Sequence, residues 1–228
     1  MVNAGFGIFM LNTRYMILKF KPFVFAFIAL FFTVKAISQS DHLYPARSYF
    51  TSYDYDDEYF SNCRKVLYKN LEKYYVARII IFPSSDYECL FTVDIINKKY
   101  VLKLRQLSSR IWRTDSVNNI FVIDKTFPVD SIFASTLHSV FVKLINKCSY
   151  EHPGGGCEVD GNMYQFIARV GSDGFGPTIS GVTYDCAEGK QMQTLIAFVQ
   201  QLKKSCENNS FAKDRDLLME KCRFIMAN

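Results

Sequence analysis

Apolar residues recur at intervals of three and four between Phe60 and Tyr74, at Phe60, Cys63, Leu67, Leu71 and Tyr74, which is the spacing of one helical face. Asp56 and Asp57 stand where the N-cap of such a helix belongs. The period then shortens. "ARIIIFP" (77–83), "YECLFTVDII" (87–96) and "KYVLKLRQL" (99–107) read as strands, and the pair Asn97 and Lys98 between the last two makes them a hairpin. A fourth short run, "NIFVIDKTF", follows Trp112.

A broad apolar stripe follows, made of Val129, Ile132, Phe133, Leu137, Val140, Phe141, Leu144 and Ile145, with Asp130, Ser131, Ser135, Ser139 and Lys143 opposite. It predicts a core-packing helix opened by Pro128, whose fixed φ suits a first helical turn. His138 sits at the stripe's edge with no second histidine or carboxylate four positions away, so it is expected to be a hydrogen-bonded structural residue. "GNMYQFIARV" (161–170) and "TISGVTYDC" (178–186) alternate as strands around the turn "SDGFGP", a second hairpin. Met192, Leu195, Ile196, Val199 and Leu202 mark a further helix, broken by "NNS" at 208–210 before a short charged helix.

The resulting order, αβββαββα, predicts an α+β fold: one antiparallel sheet built from two meanders or hairpins, with helices packed on one face. The chain divides into a leader (1–38), an aromatic-rich lead-in (39–58), a single α+β domain (59–207) and a short C-terminal helix (208–228).

Composition changes this picture mainly at the N-terminus. The whole chain, 49% hydrophobic and 21% charged, is that of an ordinary folded protein. Its first 38 residues hold Arg14, Lys19, Lys21 and Lys35 and no acid. "FVFAFIALFFTV" (23–34) then precedes "AIS" (36–38), with small residues at both positions that a signal peptidase inspects. Twelve residues fall short of the about 20 that a spanning helix needs, so a cleaved signal peptide with a mature start at Gln39 is expected rather than an anchor. Met16 offers an alternative start. Without the leader the formal charge of +5 becomes near neutrality, 23 cations against 22 acids, and no basic run supplies the clustered charge of a nucleic-acid binder.

The blocks "ARIIIFPSSDYECL", "DGNMYQF" and "GKQMQTLIAFVQQL" together make the stretch from Arg78 to Leu202 resemble a family of small exported bacterial proteins of uncharacterised function. The resemblance implies export and the α+β fold. It implies no activity, and "CSYEHPGGGC" (148–157) is a departure from it.

Seven cysteines, at 63, 89, 148, 157, 186, 206 and 222, all follow the leader and in an exported chain are disulfide candidates. About 18 helical residues hold Cys186 and Cys206 roughly 27 Å apart, beyond the roughly 4.4 to 6.8 Å a disulfide allows, so these two do not pair. Cys148 and Cys157 close the shortest loop, and three glycines with Pro153 suit its reversal; a Cys148–Cys157 bridge is expected. No two cysteines stand two to four apart, and His42, His138 and His152 are scattered, so neither a metal nor another cofactor is expected. The glycine run lacks the Lys and Ser/Thr of a phosphate loop.

The expectation for function is an exported binding protein with a protein partner (an inhibitor, immunity-type protein or envelope accessory factor), without nucleic acid and without a stable membrane span. The alternative is a hydrolase or thiol enzyme in which Cys157 is the nucleophile, His152 the base and Asp160 the orienter.

Overall fold

A computed structural model describes residues 41–46, 54–111, 117–149, 161–170, 176–187 and 189–228. Their order is β1 (Tyr44–Pro45), α1 (Asp54–Leu67), β2 (Tyr75–Phe82), β3 (Cys89–Ile96), β4 (Lys99–Leu107), β5 (Val122–Val129), α2 (Ser131–Asn146), β6 (Met163–Arg169), β7 (Thr178–Tyr184), α3 (Lys190–Glu207) and α4 (Phe211–Ala227). The strands form one seven-stranded antiparallel sheet in the order β1-β7-β6-β2-β3-β4-β5, so the class is α+β. The β2–β5 meander and the β6–β7 hairpin are joined where β6 pairs with β2. The β3–β4 turn is the expected pair: Ile96 opposes Lys99, and Asn97 and Lys98 have φ of 50° and 63°, the left-handed conformation a two-residue hairpin of this kind requires.

The expected arrangement of helices on one face is corrected. Helices α2, α3 and α4 share a core with Ala77, Ile79 and Ile81 of β2, Phe91 of β3 and Phe166 of β6. Helix α1 lies on the opposite face, where Tyr59, Cys63, Val66 and Leu67 pack with Ile80, Phe82, Leu90, Leu107, Met163 and Ile167. Double coverage explains why β2 is buried along its whole length and reads as a continuous apolar run rather than an alternation. The C-terminal helix is also more than an appendage. Its Phe211, Leu218, Met219, Cys222 and Ile225 belong to the three-helix core, and the Phe211 ring meets Phe133 edge-on at 5.3 Å.

Pro128 does not open α2. It is the penultimate residue of β5, opposite Val101, and the helix begins after Asp130, whose carboxylate accepts from the Phe133 N–H at 2.8 Å. Proline suits an edge strand as well as a first helical turn, and strand pairing with β4 decides between them. The helix face shifts accordingly: Phe133, Ala134, Leu137, Val140, Phe141, Leu144 and Ile145 are buried, whereas Ile132 is 63% exposed and Val129 belongs to the strand.

The ends of three helices are closed from elsewhere in the chain, by side chains with no local signature. At its C-terminus α1 receives Arg105, which donates to the Leu67 and Lys69 carbonyls at 2.8 and 2.7 Å. Lys125 donates to Glu207 O at 2.5 Å at the end of α3, and Lys143 to Met226 O at 2.7 Å at the end of α4. Cations there satisfy orphan carbonyls and complement the helix dipole. At the N-terminus of α3 the cap is Asp41, 151 residues away, accepting from Met192 N–H at 2.9 Å. Gly189 permits this approach: a Cβ there would lie 2.6 Å from Asp41 Cα.

Candidate functional site

The second face of the sheet is apolar only beneath α1. Further along β2 the pattern is interrupted by Arg78, a cation inside "YVARIIIF". A register shift between Tyr75 and Ala77 re-aims the strand, so that Val76 and Ala77 both enter the three-helix core while Tyr75 turns to the other side. Tyr75 and Arg78, three residues apart, thereby share a face. The Arg78 Cζ lies 3.6 Å from the Tyr75 ring centroid, and the Tyr68 ring is 5.3 Å away on the loop leaving α1.

From β6 comes a second guanidinium. Arg169 Cζ is 4.7 Å from the same Tyr75 ring, and the Tyr75 hydroxyl is 3.1 Å from Thr178 Oγ1 of β7. His138 fixes the backbone at this point: its Nε2, 2.7 Å from the Arg169 carbonyl, donates to it across from α2. This matches the structural role expected for that histidine. Gly176 completes the corner, since a Cβ there would overlap the Val170 carbonyl.

The two guanidinium groups, like Lys125 and Lys143 at the helix ends and unlike Lys103, Lys203 and Arg215, have no carboxylate partner among the described residues. Arg78 donates to Thr92 Oγ1 at 3.2 Å and Glu72 O at 2.9 Å; Arg169 donates to Gly176 O at 3.2 Å and Lys73 O at 3.4 Å. Nearby Asp94, fully buried on β3, is taken by the Thr92 hydroxyl at 2.6 Å and by Lys103 Nζ at 3.2 Å. Among the described residues neither Arg78 nor Arg169 has a carboxylate within ion-pair distance. Burial, followed in the opposite sense by the neighbouring tyrosines, moves the Arg78 guanidinium below its ordinary range. Arg78 is enclosed, but Arg169 is half-buried, and the surface beside it is formed by exposed Lys73, Tyr74 and Val170. A planar cation on an aromatic ring at a surface edge can take a carboxylate or another oxyanion in a two-pronged contact. Among the described residues the arrangement brings no nucleophile and base into contact.

Of the residues singled out from sequence, His152, Cys157 and Asp160 lie outside the described residues, as do the leader and Trp112. Cys148 is described, and it is a free thiol rather than half of the expected Cys148–Cys157 bridge. Its sulfur is turned inward, 2.9 Å from where a Cβ on Gly181 would stand, so the absence of a side chain at 181 makes the space it fills. Burial pushes that thiol up to about 11, and Cys206 and Cys222 to about 12, which disfavours the thiolate a nucleophile needs. Cys63, Cys89, Cys206 and Cys222 are free as well, so Cys186 and Cys206 are indeed unpaired with each other, and Cys186 is disulfide-bonded. Among the described residues no group of three His, Cys, Asp or Glu could hold a metal ion, and no helix is long and apolar enough to cross a membrane. Sequence reading missed Tyr75, Arg78 and Arg169; the one local signal was a lone arginine in an apolar strand.

Comparison with protein-family models, with curated proteins and with solved structures finds no match to this chain.

Proposed function

We propose that the chain is an exported, non-catalytic binding protein that receives an acidic group of a protein partner against Arg169 and Tyr75. One observation carries this reading: a half-buried guanidinium stacked 4.7 Å from a tyrosine ring and, among the described residues, served only by backbone carbonyls, beside exposed Lys73 and Tyr74. Arginine and tyrosine are enriched at binding hot spots, because tyrosine brings a large amphipathic area at low rotamer cost and arginine a planar fork preorganised for carboxylates. Capture on the immobilised chain from residue 39 onward, using envelope extract at low and high salt, tests it. Stoichiometric recovery of one partner is expected, falling at least ~10-fold for Arg169→Gln, the loss of about 1.4 kcal/mol that removing one charged contact gives. Equal recovery by a variant that melts like the parent would remove Arg169 from the interface.

Export is proposed on the leader and supported by the bonded Cys186, since disulfides persist in oxidising compartments. Protein isolated from its host is expected to begin within a residue or two of Gln39. In a peptide map without reductant, the Cys63, Cys89, Cys148, Cys206 and Cys222 peptides should be alkylated and the Cys186 peptide cross-linked. Its expected mate carries Cys157, the one remaining cysteine in the sequence. A full-length chain in the membrane fraction, or an alkylated Cys186, would overturn the corresponding part.

A further inference from the structure

Glu88 immediately precedes β3, with no exposed surface, on the face that α1 covers. Tyr59 of α1 donates its hydroxyl to Glu88 Oε1 at 3.0 Å, and Glu88 Oε2, equally buried, has no hydrogen-bond partner. The apolar part of the surrounding cluster includes Phe60, Phe82, Leu90, Leu107 and Ile111. The titratable and charged groups facing Glu88 are Tyr59 and Cys63 from α1 and Arg110 from the segment after β4; Arg64 lies beside Cys63. Burial raises the Glu88 carboxyl above its ordinary range, and its own backbone N–H, the Tyr59 hydroxyl, the Ile111 N–H and Arg110 only partly oppose this. The same burial raises both Tyr59 and Cys63, so the groups touching Glu88 from the helix stay neutral and add no second negative charge beside it.

We propose that Glu88 is a pH-sensitive latch: as a neutral carboxyl it holds α1 on the sheet, and on losing its proton to water it releases that helix from its N-terminus through Cys63. The direction follows from the raised carboxyl. The closed state binds the proton more tightly than the open one, so closure is fully favoured below the ordinary glutamate range and is lost as pH rises through the higher value of the closed state. Release from the N-terminal side through Cys63 is the cheaper motion, because Arg105 ties only the last turn of α1 to β4, through the Leu67 and Lys69 carbonyls. An ionised Glu88 would keep one oxygen, Oε2, without a hydrogen-bond partner beside apolar side chains, so Arg110 and the nearby donors compensate its charge only in part, and lifting Tyr59 and Cys63 is what admits water to it.

Cys63 reports the motion, since it is fully buried beside Tyr59. Pulse alkylation of the folded mature chain, read by mass spectrometry as the labelling of Cys63 relative to buried Cys222, sets the response of α1 against that of a buried thiol outside the latch. As pH rises from the ordinary glutamate range to about pH 8.5 the ratio is expected to rise at least ~10-fold. Glu88→Gln should hold it flat at the closed value. Tyr59→Phe, which deletes the donor that favours the ionised carboxylate, should shift the rise to higher pH; a purely structural role for Tyr59 would change labelling equally at every pH. A flat ratio in the parent, the same rise in Glu88→Gln, or an unmoved midpoint in Tyr59→Phe would each overturn the latch.

Discussion

Leu137→Asp is expected to abolish cooperative folding, whereas Ser139→Asp, two positions along the same helix, leaves the melting temperature nearly unchanged. Leu137 is 2% exposed in the core that α2 shares with β2, β6, α3 and α4, with apolar groups such as Phe133, Phe141 and Phe166 in the same cluster. A carboxylate there is charged without a partner, a penalty of roughly 3–5 kcal/mol by comparison with broken buried pairs, added to the lost packing of a leucine. Against a total stability of about 5–15 kcal/mol that is decisive. Ser139 faces water, where a new carboxylate keeps its hydration. Thermal and urea denaturation of the two variants distinguishes them; comparable midpoints would show that α2 presents a different face to the sheet.

Arg105→Leu is expected to cost about 3 kcal/mol, and Asp124→Ala less than about 1 kcal/mol, although the two residues form one ion pair at 2.8 Å. The asymmetry lies in what else each holds. Asp124 is about half exposed, so its share of the pair is screened by water. Arg105 is nearly buried and also serves the Leu67 and Lys69 carbonyls; truncation leaves those acceptors at the end of α1 without a donor. Denaturant midpoints measured for both variants check this. Equal losses would mean that the ion pair, rather than the helix end, is what Arg105 contributes.

Both cases bear on what could be read from the chain alone. The β3–β4 hairpin was visible because a two-residue turn demands a narrow set of conformations and alternation on either side is local. The core stripes of α2 and α3 were visible because a helix repeats every 3.6 residues regardless of its neighbours. The break at 208–210 was also visible, but the weight of α4 was not, since its charged positions masked five residues that only the packed core reveals as buried.

Local patterning by itself determined the antiparallel α+β class, the two hairpins, the inward face of α3 and most of that of α2, because periodicity and turn chemistry are properties of contiguous residues. Tertiary structure decided the rest. It placed α1 on the opposite side of the sheet from the other helices, assigned Pro128 to an edge strand, and turned Cys148 into the space above Gly181. It also brought Tyr75, Arg78 and Arg169 together through a bulge and a strand pairing between segments 91 residues apart, as Ala77 opposite Ala168 shows. Nothing in a linear sequence encodes which distant carbonyl an arginine reaches. That choice is made when the sheet closes and each buried donor must find an acceptor.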